Sequence, residues 1–287
     1  MLGAILIGLG AMLLALSWVG GVWTGWFVWH VTFPVGFWLL GDGLMAGLGE
    51  RPLVRNGPRW LVALVAAGAG LGLLLDTLMV QVAGILDYTA VRDIPTALLL
   101  YLGWGFCLPA LVATHRASGA LLRRLPLPRF PAVPGAWRAA WSRWAGPAGA
   151  ALLASALFLR LYYPLRLGFM VAPAFLGLWL LLETLGDRRE REPGLLDDLL
   201  SGRWVSLLAM IPPALLLALT WEGLNNLMGS WAYGNIFWLE PPLLGVPPVA
   251  YCGYVCWYAL FLSFYRACFV TAHPPAGWGG SHQPAGG

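Results

Sequence analysis

The chain has 287 residues, of which 59% are hydrophobic and 10% are charged, and its mean hydropathy is +0.73. Soluble domains carry about 25% charged residues, so this composition excludes a soluble globular protein. Every basic residue is an arginine and the formal net charge is +4, but the arginines lie in loops and form no nucleic-acid-binding surface. The composition predicts an all-α, polytopic membrane protein.

Eight apolar segments are candidates to cross a bilayer whose hydrocarbon core is about 30 Å thick. The first is interpreted as a retained helix rather than a signal peptide, because it lacks a basic start and a clear cleavage site. The second and sixth are short for a span. In chain order the predicted spans are Leu2–Val19, Pro34–Leu48, Trp60–Val82, Pro95–Ala113, Pro147–Tyr163, Pro173–Leu185, Trp204–Gly229 and Pro247–Arg266.

The arginines predict the orientation of these spans. Of the 17 basic residues, all but Arg92, Arg160 and Arg166 lie in the loops after even-numbered spans or in the C-terminal tail. Loops rich in arginine stay in the cytoplasm, so both termini are expected there, in a bacterial inner membrane. The Trp- and Tyr-rich odd-numbered loops then face outward.

The two halves of the chain carry matching residues at a nearly constant offset, which favours two parallel four-helix repeats over a chance alignment of Leu-rich spans. The pairs are Trp38 and Trp179, Asp42 and Glu183, Arg59 and Arg203, Trp60 and Trp204, Asp76 and Glu222, Tyr88 and Tyr233, Pro95 and Pro247, and Trp104 and Trp257. We therefore predict a first repeat over 1–113, a cytoplasmic linker over 114–146, a second repeat over 147–266, and a disordered cytoplasmic tail over 267–287.

The linker between the repeats is rich in arginine, proline and tryptophan. Trp137, Trp141 and Trp144 would share one face of a helix, with Arg138 and Arg143 flanking it. This pattern is typical of a helix that lies in the headgroup region and is attracted to anionic membrane lipids.

Placing an ionisable residue within a membrane span costs free energy, so such a residue is expected to have a function or a specific partner. Asp42 and Glu183 fall near the cytoplasmic ends of their spans, where we expect mostly structural roles. Glu222 instead lies in the outer half of the seventh span, with Asp76 as its counterpart in the first half. Arg160, in the outer half of the fifth span, is the predicted counter-charge.

Glu222 begins a stripe of polar and small residues that cannot face lipid. Asn225, Asn226 and Gly229 follow it at helical spacing, and Pro212-Pro213 is expected to break or kink the span below. The stripe lines a cavity, or it is a buried network that locks helices together. The sequence is compatible with both a cavity and a structural network.

The segment over 230–248 follows this stripe on the outer face. Its aromatic residues would cap a pocket above Glu222, or they belong to an interfacial aromatic belt. Candidate acid–base residues are Glu222, Asp76 and Glu240. Candidate substrate-binding residues are Asn225, Asn226, Arg160, Trp231, Tyr233 and Trp238.

No histidine pair stands at metal-ligand spacing, and no nucleotide-binding glycine motif is present. The sequence therefore predicts neither a metal nor a cofactor. An acid pair among aromatic side chains suits general acid–base chemistry, and aromatic faces stabilise a developing cation.

The second half contains Trp221-Glu222-x-x-Asn225, then Trp231-x-Tyr233, then a Pro-rich loop from Glu240 to Pro248. Over 171–266 it resembles uncharacterised polytopic bacterial membrane proteins with a Trp-Glu-x-x-Asn helix and a Pro-rich loop. More distantly it is similar to the lycopene-cyclase domain and the carotenoid hydratases, although Pro248 and Val249 stand where those domains carry acidic residues. The resemblance implies a membrane helical bundle and an isoprenoid substrate.

Three functions are consistent with these features. The first is a membrane protein that handles an apolar lipid, such as an isoprenoid or carotenoid, by acid–base chemistry in an outer-leaflet pocket. The second is a non-catalytic subunit of a respiratory or photosynthetic membrane complex, with membrane-protein partners. The third is a transporter, because parallel repeats with a broken helix and charges within spans are found in transporters.

Overall fold

The computed structural model describes residues 1–24, 28–127, 130–162, 168–187, 194–235, 242–243 and 247–270. Within these ranges the chain is almost entirely helical, and two three-residue strands form its one sheet. The elements are α1 (Leu2–Thr24), α2 (Trp29–Gly47), α3 (Pro58–Asp76), β1 (Leu86–Tyr88), α4 (Ile94–Leu122), α5 (Gly135–Tyr162), α6 (Val171–Asp187), α7 (Leu195–Leu200), α8 (Val205–Leu208), α9 (Ile211–Met228), β2 (Trp231–Tyr233) and α10 (Pro248–Phe269).

Six helical segments are long and apolar enough to cross a membrane, which confirms the all-α membrane class. They are Leu2–Gly20, Pro58–Ala83, Ile94–Leu122, Gly135–Tyr162, Gly168–Gly186 and Val205–Met228. The two other predicted spans form α2 and α10, with 19 and 22 residues. These two helices contain His30, Asp42, Arg266 and many Tyr, Trp and Gly residues, which lower their hydropathy.

Two helices differ from the predicted segments in instructive ways. The predicted interfacial helix and the fifth span form a single helix, α5, which passes through Pro147 without ending. The predicted seventh span is broken between α8 and α9, and Pro212 and Pro213 occupy the first turn of α9. A proline is tolerated at the start of a helix, where its missing N–H has no partner to lose, so the Pro-Pro pair begins the second segment.

Helix packing follows the same order in both halves of the chain. In the first half α1 packs against α2, α2 against α4, and α3 against α4. In the second half α5 packs against α6, α6 against α10, and α9 against α10. Helices α4 and α10 meet at the centre, where Tyr258, Phe261 and Leu108 are fully buried.

Glycines make close helix contacts in the first hairpin of each half, α1–α2 and α5–α6. A Cβ atom on Gly36 of α2 would lie 3.0 Å from the Gly10 carbonyl oxygen of α1. A Cβ atom on Gly177 of α6 would lie 2.7 Å from the Gly149 carbonyl oxygen of α5. Small residues let helix backbones approach closely in a membrane. Each glycine pair therefore sets the distance between the two helices of its hairpin.

The strands β1 and β2 join the two halves as an antiparallel ribbon. Leu86 pairs with Tyr233, and Tyr88 pairs with Trp231. Strand β1 follows α3 after a π-helical segment, Thr77–Ala83, and β2 follows α9 directly. The ribbon therefore places the residues after Asp76 beside the residues after Glu222.

Candidate functional site

The side chain of Glu222 lies at the heart of a hydrogen-bonded cluster near the end of α9. It is only 1% exposed. The hydroxyl groups of Tyr233 and Tyr254 both donate to Oε1, at 2.5 and 2.7 Å. The other carboxyl oxygen, Oε2, is also buried, and no donor among the described residues is in hydrogen-bonding position to it. The carboxyl group thus has one saturated oxygen and one that is still available.

Asn225, one helical turn beyond Glu222, holds the ribbon against α9. Its Nδ2 donates to the Trp231 carbonyl oxygen at 3.1 Å, and its Oδ1 accepts from the Trp231 N–H at 2.9 Å. Between them, Gly229 has φ +58°, in the left-handed region where glycine is unstrained, and it ends the helix so that the chain turns back. This turn brings Tyr233 over the Glu222 carboxyl group.

Aromatic rings form one wall of the cluster. The Trp231 ring centroid lies 5.7 Å from that of Trp29 and 5.5 Å from that of His30, and His30 lies 5.7 Å from Trp221. All four residues are at least 93% buried. The indole N–H of Trp231 is buried and finds no acceptor among the described residues. A buried donor and a buried acceptor in this cluster therefore lack a hydrogen bond of good geometry, although the Trp231 indole lies close to the Glu222 carboxyl group.

Asp76 forms the corresponding site in the first half of the chain. It accepts a hydrogen bond from the Tyr88 hydroxyl at 2.8 Å and from the Trp104 indole N–H at 3.0 Å. The Trp104 ring also lies 6.5 Å from that of Trp221, beside Glu222. Aromatic packing thus connects the two carboxyl sites through the interior of the bundle.

Both ribbon tyrosines lie outside the membrane-spanning helices and are strongly perturbed. Burial, together with the neighbouring charge of Asp76, raises the pKa of Tyr88 well above its usual value of 10.0. Burial and the neighbouring charge of Glu222 raise the pKa of Tyr233 in the same way. Both phenols therefore stay protonated at neutral pH and donate hydrogen bonds to their carboxyl groups.

The two carboxyl groups near the opposite membrane face have structural contacts, as the sequence predicted. Asp42 accepts from the backbone N–H groups of Leu53 and Val54 at 2.8 and 2.9 Å. Glu183 accepts from the backbone N–H of Leu196 at 2.8 Å and from the Ser263 hydroxyl. Each acid thus anchors the short segment that follows its own helix, which is a 3-10 turn over Leu53–Asn56 after α2 and helix α7 after α6.

Several predicted site residues do not join the cluster. The Nε of Arg160 donates to the Gln81 carbonyl oxygen at 2.8 Å, and no ion pair joins Arg160 to Glu222 in the described chain. Asn226 is exposed, because the turn of the helix from Asn225 to the next residue carries its side chain away from the buried face of α9. Glu240 and Trp238 lie outside the described residues, as does the predicted tail beyond residue 270.

Some functional groups of the cluster were not among the predicted site residues. Tyr254 completes the contacts of Glu222, and Trp104 completes those of Asp76. A signal for Tyr254 was present, since Tyr254, Tyr258 and Tyr265 recur on one face of α10 and all three are buried. Which tyrosine reaches Glu222 depends on helix packing, which the periodicity does not reveal.

Comparisons of the chain with protein families, with curated proteins and with solved structures find no match.

Proposed function

We propose that the chain is an integral membrane protein that binds an apolar lipid of the isoprenoid class in the outer half of the bilayer, with Glu222 as its acid–base residue. The observation that carries this proposal is a pair of neighbouring buried polar atoms in one aromatic cluster, Glu222 Oε2 and Trp231 Nε1, neither of which makes a hydrogen bond of good geometry with the described residues. A buried polar atom left without a partner costs about 1–3 kcal/mol, so such a pair marks a place where a ligand group gains by binding. A hydroxyl group can donate to the carboxyl oxygen and accept from the indole.

The surrounding surface suits the rest of such a ligand. Trp29, Trp221 and Trp231 offer ring faces that pack against a polyene and that stabilise a carbocation. Glu222 can hold or release a proton at a double bond, as hydration or cyclisation of an isoprenoid requires. The Tyr233 hydroxyl donates to the Glu222 carboxyl group and so holds it in place beside these rings.

The test is to purify the wild type and Glu222→Gln from native membranes and to analyse the solvent extracts by mass spectrometry. We expect one isoprenoid enriched over bulk phospholipid in the wild type, and a different species or none in the variant. Glutamine keeps the shape of the side chain but not its ability to exchange a proton. Bulk phospholipid alone in both extracts would overturn the proposal.

Asp76→Asn is the matched control, because it makes the same chemical change at the equivalent carboxyl group. That group is already fully bonded by Tyr88 and Trp104 through both of its oxygens. We expect it to leave the extracted lipid unchanged. Tyr254→Phe separates the hydrogen bonds that Glu222 accepts from the acid–base chemistry of its carboxyl group. It removes one donor to Oε1 but leaves the carboxyl group in place.

The alternative is a non-catalytic subunit of a larger membrane complex. The Asn225 clamp on Trp231 favours it, because this part of the polar stripe stabilises the fold and needs no ligand. Under this alternative the protein runs on native gels with membrane-protein partners, and Glu222→Gln lowers stability without changing the extract. A monomer with an enriched isoprenoid would exclude it.

A transporter is the third candidate, because Asp42 and Glu183 already bind backbone N–H groups and so supply no free charges along a pathway.

The proposal includes eight spans arranged as two parallel four-helix repeats. The matching packing orders, the Gly10–Gly36 and Gly149–Gly177 contacts and the paired carboxyl sites support this arrangement. Helices α2 and α10 would be the second and eighth spans, which complete the set of eight. Each packs against at least two other helices, so lower hydropathy is tolerated where protein rather than lipid surrounds the polar side chains. The arginine distribution supports an inner-membrane location with cytoplasmic termini.

A further inference from the structure

A second site lies at the other end of the bundle, far along α5 and α6 from the ribbon. A cleft of about 60 Å³ opens between the start of α5, the end of α6 and the short helix α7. Its walls carry Arg138, Ser142, Glu183, Thr184 and Asp197. This cleft belongs to the arginine-rich side of the protein and shares no residue with the Glu222 cluster.

The charges in the cleft leave one cation available. Glu183 is occupied by the Leu196 N–H and the Ser263 hydroxyl, and Asp197 forms an ion pair with Arg203. Arg138 has no ion-pair partner in the part of the chain that the structure describes. Its Nε is buried and no described acceptor is in hydrogen-bonding position to it. A buried guanidinium N–H is stabilised most by an anionic oxygen.

The position of the cleft along α5 indicates the source of that anion. Trp137, Trp141 and Trp144 are exposed on the face of α5 next to the cleft, and exposed tryptophans are enriched at the headgroup level of a membrane. Arg138 and Ser142 follow Trp137 and Trp141 by one residue each, so they lie at the same depth on the neighbouring stripe of the helix. The cleft therefore opens where lipid phosphates lie.

We infer that this cleft binds the phosphodiester headgroup of a membrane phospholipid, with the Arg138 guanidinium donating to the phosphate oxygens. The tryptophan face lies against the acyl-chain boundary, and the Arg138 stripe holds the headgroup between α5, α6 and α7.

The test is native mass spectrometry of the full chain in detergent, titrated with phosphatidylglycerol. Arg143→Gln is the matched control for Arg138→Gln, because Arg143 lies on the same helix but is exposed and does not line the cleft. We expect one lipid to bind the wild type and Arg143→Gln equally, and about fivefold more weakly to Arg138→Gln, which is the usual contribution of one basic side chain at an anionic surface. Equal binding by all three proteins, or equal weakening in both variants, would overturn the inference.

Two further measurements identify the ligand class and guard against misfolding. Inorganic phosphate at the same concentration should not displace the lipid; if it does, the cleft binds a free phosphate and the lipid assignment is wrong. If Arg138→Gln lowers the melting temperature, Ser142→Trp, which fills the cleft and keeps Arg138, replaces it in the comparison. Lipid retention by a folded Ser142→Trp protein contradicts the site.

Discussion

Asp76 and Glu222 accept hydrogen bonds from Tyr88 and Tyr233, the residues that end the two strands of the ribbon. Each tyrosine donates to the carboxyl group of its own half, while the two strands pair across the halves. The ribbon therefore ties together two carboxyl sites that are similar but not identical. Asp76 has a donor on each oxygen, whereas Glu222 has two donors on one oxygen, and this difference is why the proposed ligand group is assigned to Glu222.

Asn225→Ala should destabilise the protein by about 2–3 kcal/mol, because it leaves both the N–H and the carbonyl oxygen of Trp231 buried without their partners. Thermal or denaturant unfolding in detergent would measure the change. The control is Asn226→Ala at the next, exposed position, for which we expect a clearly smaller effect. Equal losses in the two variants would show that the Asn225 clamp contributes little.

Gly36→Ala and Gly177→Ala should each destabilise the protein by about 1–3 kcal/mol, since the new methyl group would overlap the facing backbone. Two repeats with the same hairpin geometry predict losses of similar size. Gly8→Ala on α1 is the control, because a Cβ there meets nothing within 4 Å and alanine favours the helix. A large loss at only one of the two glycines would argue against equivalent hairpins.

Alkaline pH should unfold the protein, and the chain has no lysine whose titration would complicate the measurement. The pKa values of Tyr88 and Tyr233 are raised in the folded protein, whereas unfolded tyrosine ionises near 10.0. Their contribution to the free energy of unfolding is therefore complete below that value and is lost as the pH rises above it. Tyrosinate absorbance and circular dichroism, recorded together, should change in one transition.

Two phenylalanine variants test whether the ribbon tyrosines cause that transition. Tyr88→Phe and Tyr233→Phe each remove a phenol that resists ionisation. In each variant, tyrosinate absorbance and circular dichroism should therefore follow each other less closely as the pH rises. Tyr162→Phe is a suitable control, because Tyr162 is exposed. Gradual ionisation of all tyrosines near pH 10 without unfolding would contradict the prediction.

The orientation can be tested with reporter fusions. Alkaline phosphatase fused after Ala90, beyond β1, should be active, because that loop is expected on the outer face. The same reporter fused after Arg124, beyond α4, should be inactive, because the arginine-rich side is expected in the cytoplasm. A reversed pair of activities would place the Glu222 site in the inner leaflet and would require a different lipid source.

The all-helical membrane class, the positions of the long helices and the structural use of Asp42 and Glu183 could be predicted from the sequence. These features depend on local properties of the chain: the length of an apolar segment, the helical spacing of its residues, and the free-energy cost of a charge near the end of a span. The break before Pro212 followed from the same local rules, because proline starts a helix more easily than it continues one. The sequence also paired Asp76 and Tyr88 with Glu222 and Tyr233, and in the structure each of these tyrosines bonds its own acid.

Only the tertiary structure decided which groups meet. Tyr254 and Trp104 reach the carboxyl groups from helices distant in sequence, and Arg160 bonds a backbone carbonyl oxygen instead of Glu222. The pairing of β1 with β2 and the cleft beside Arg138 likewise require the two halves, or three separate helices, to pack. Periodicity determines which face of a helix is buried, but the rotation and approach of helices come from side-chain packing across the whole bundle, which no local pattern contains.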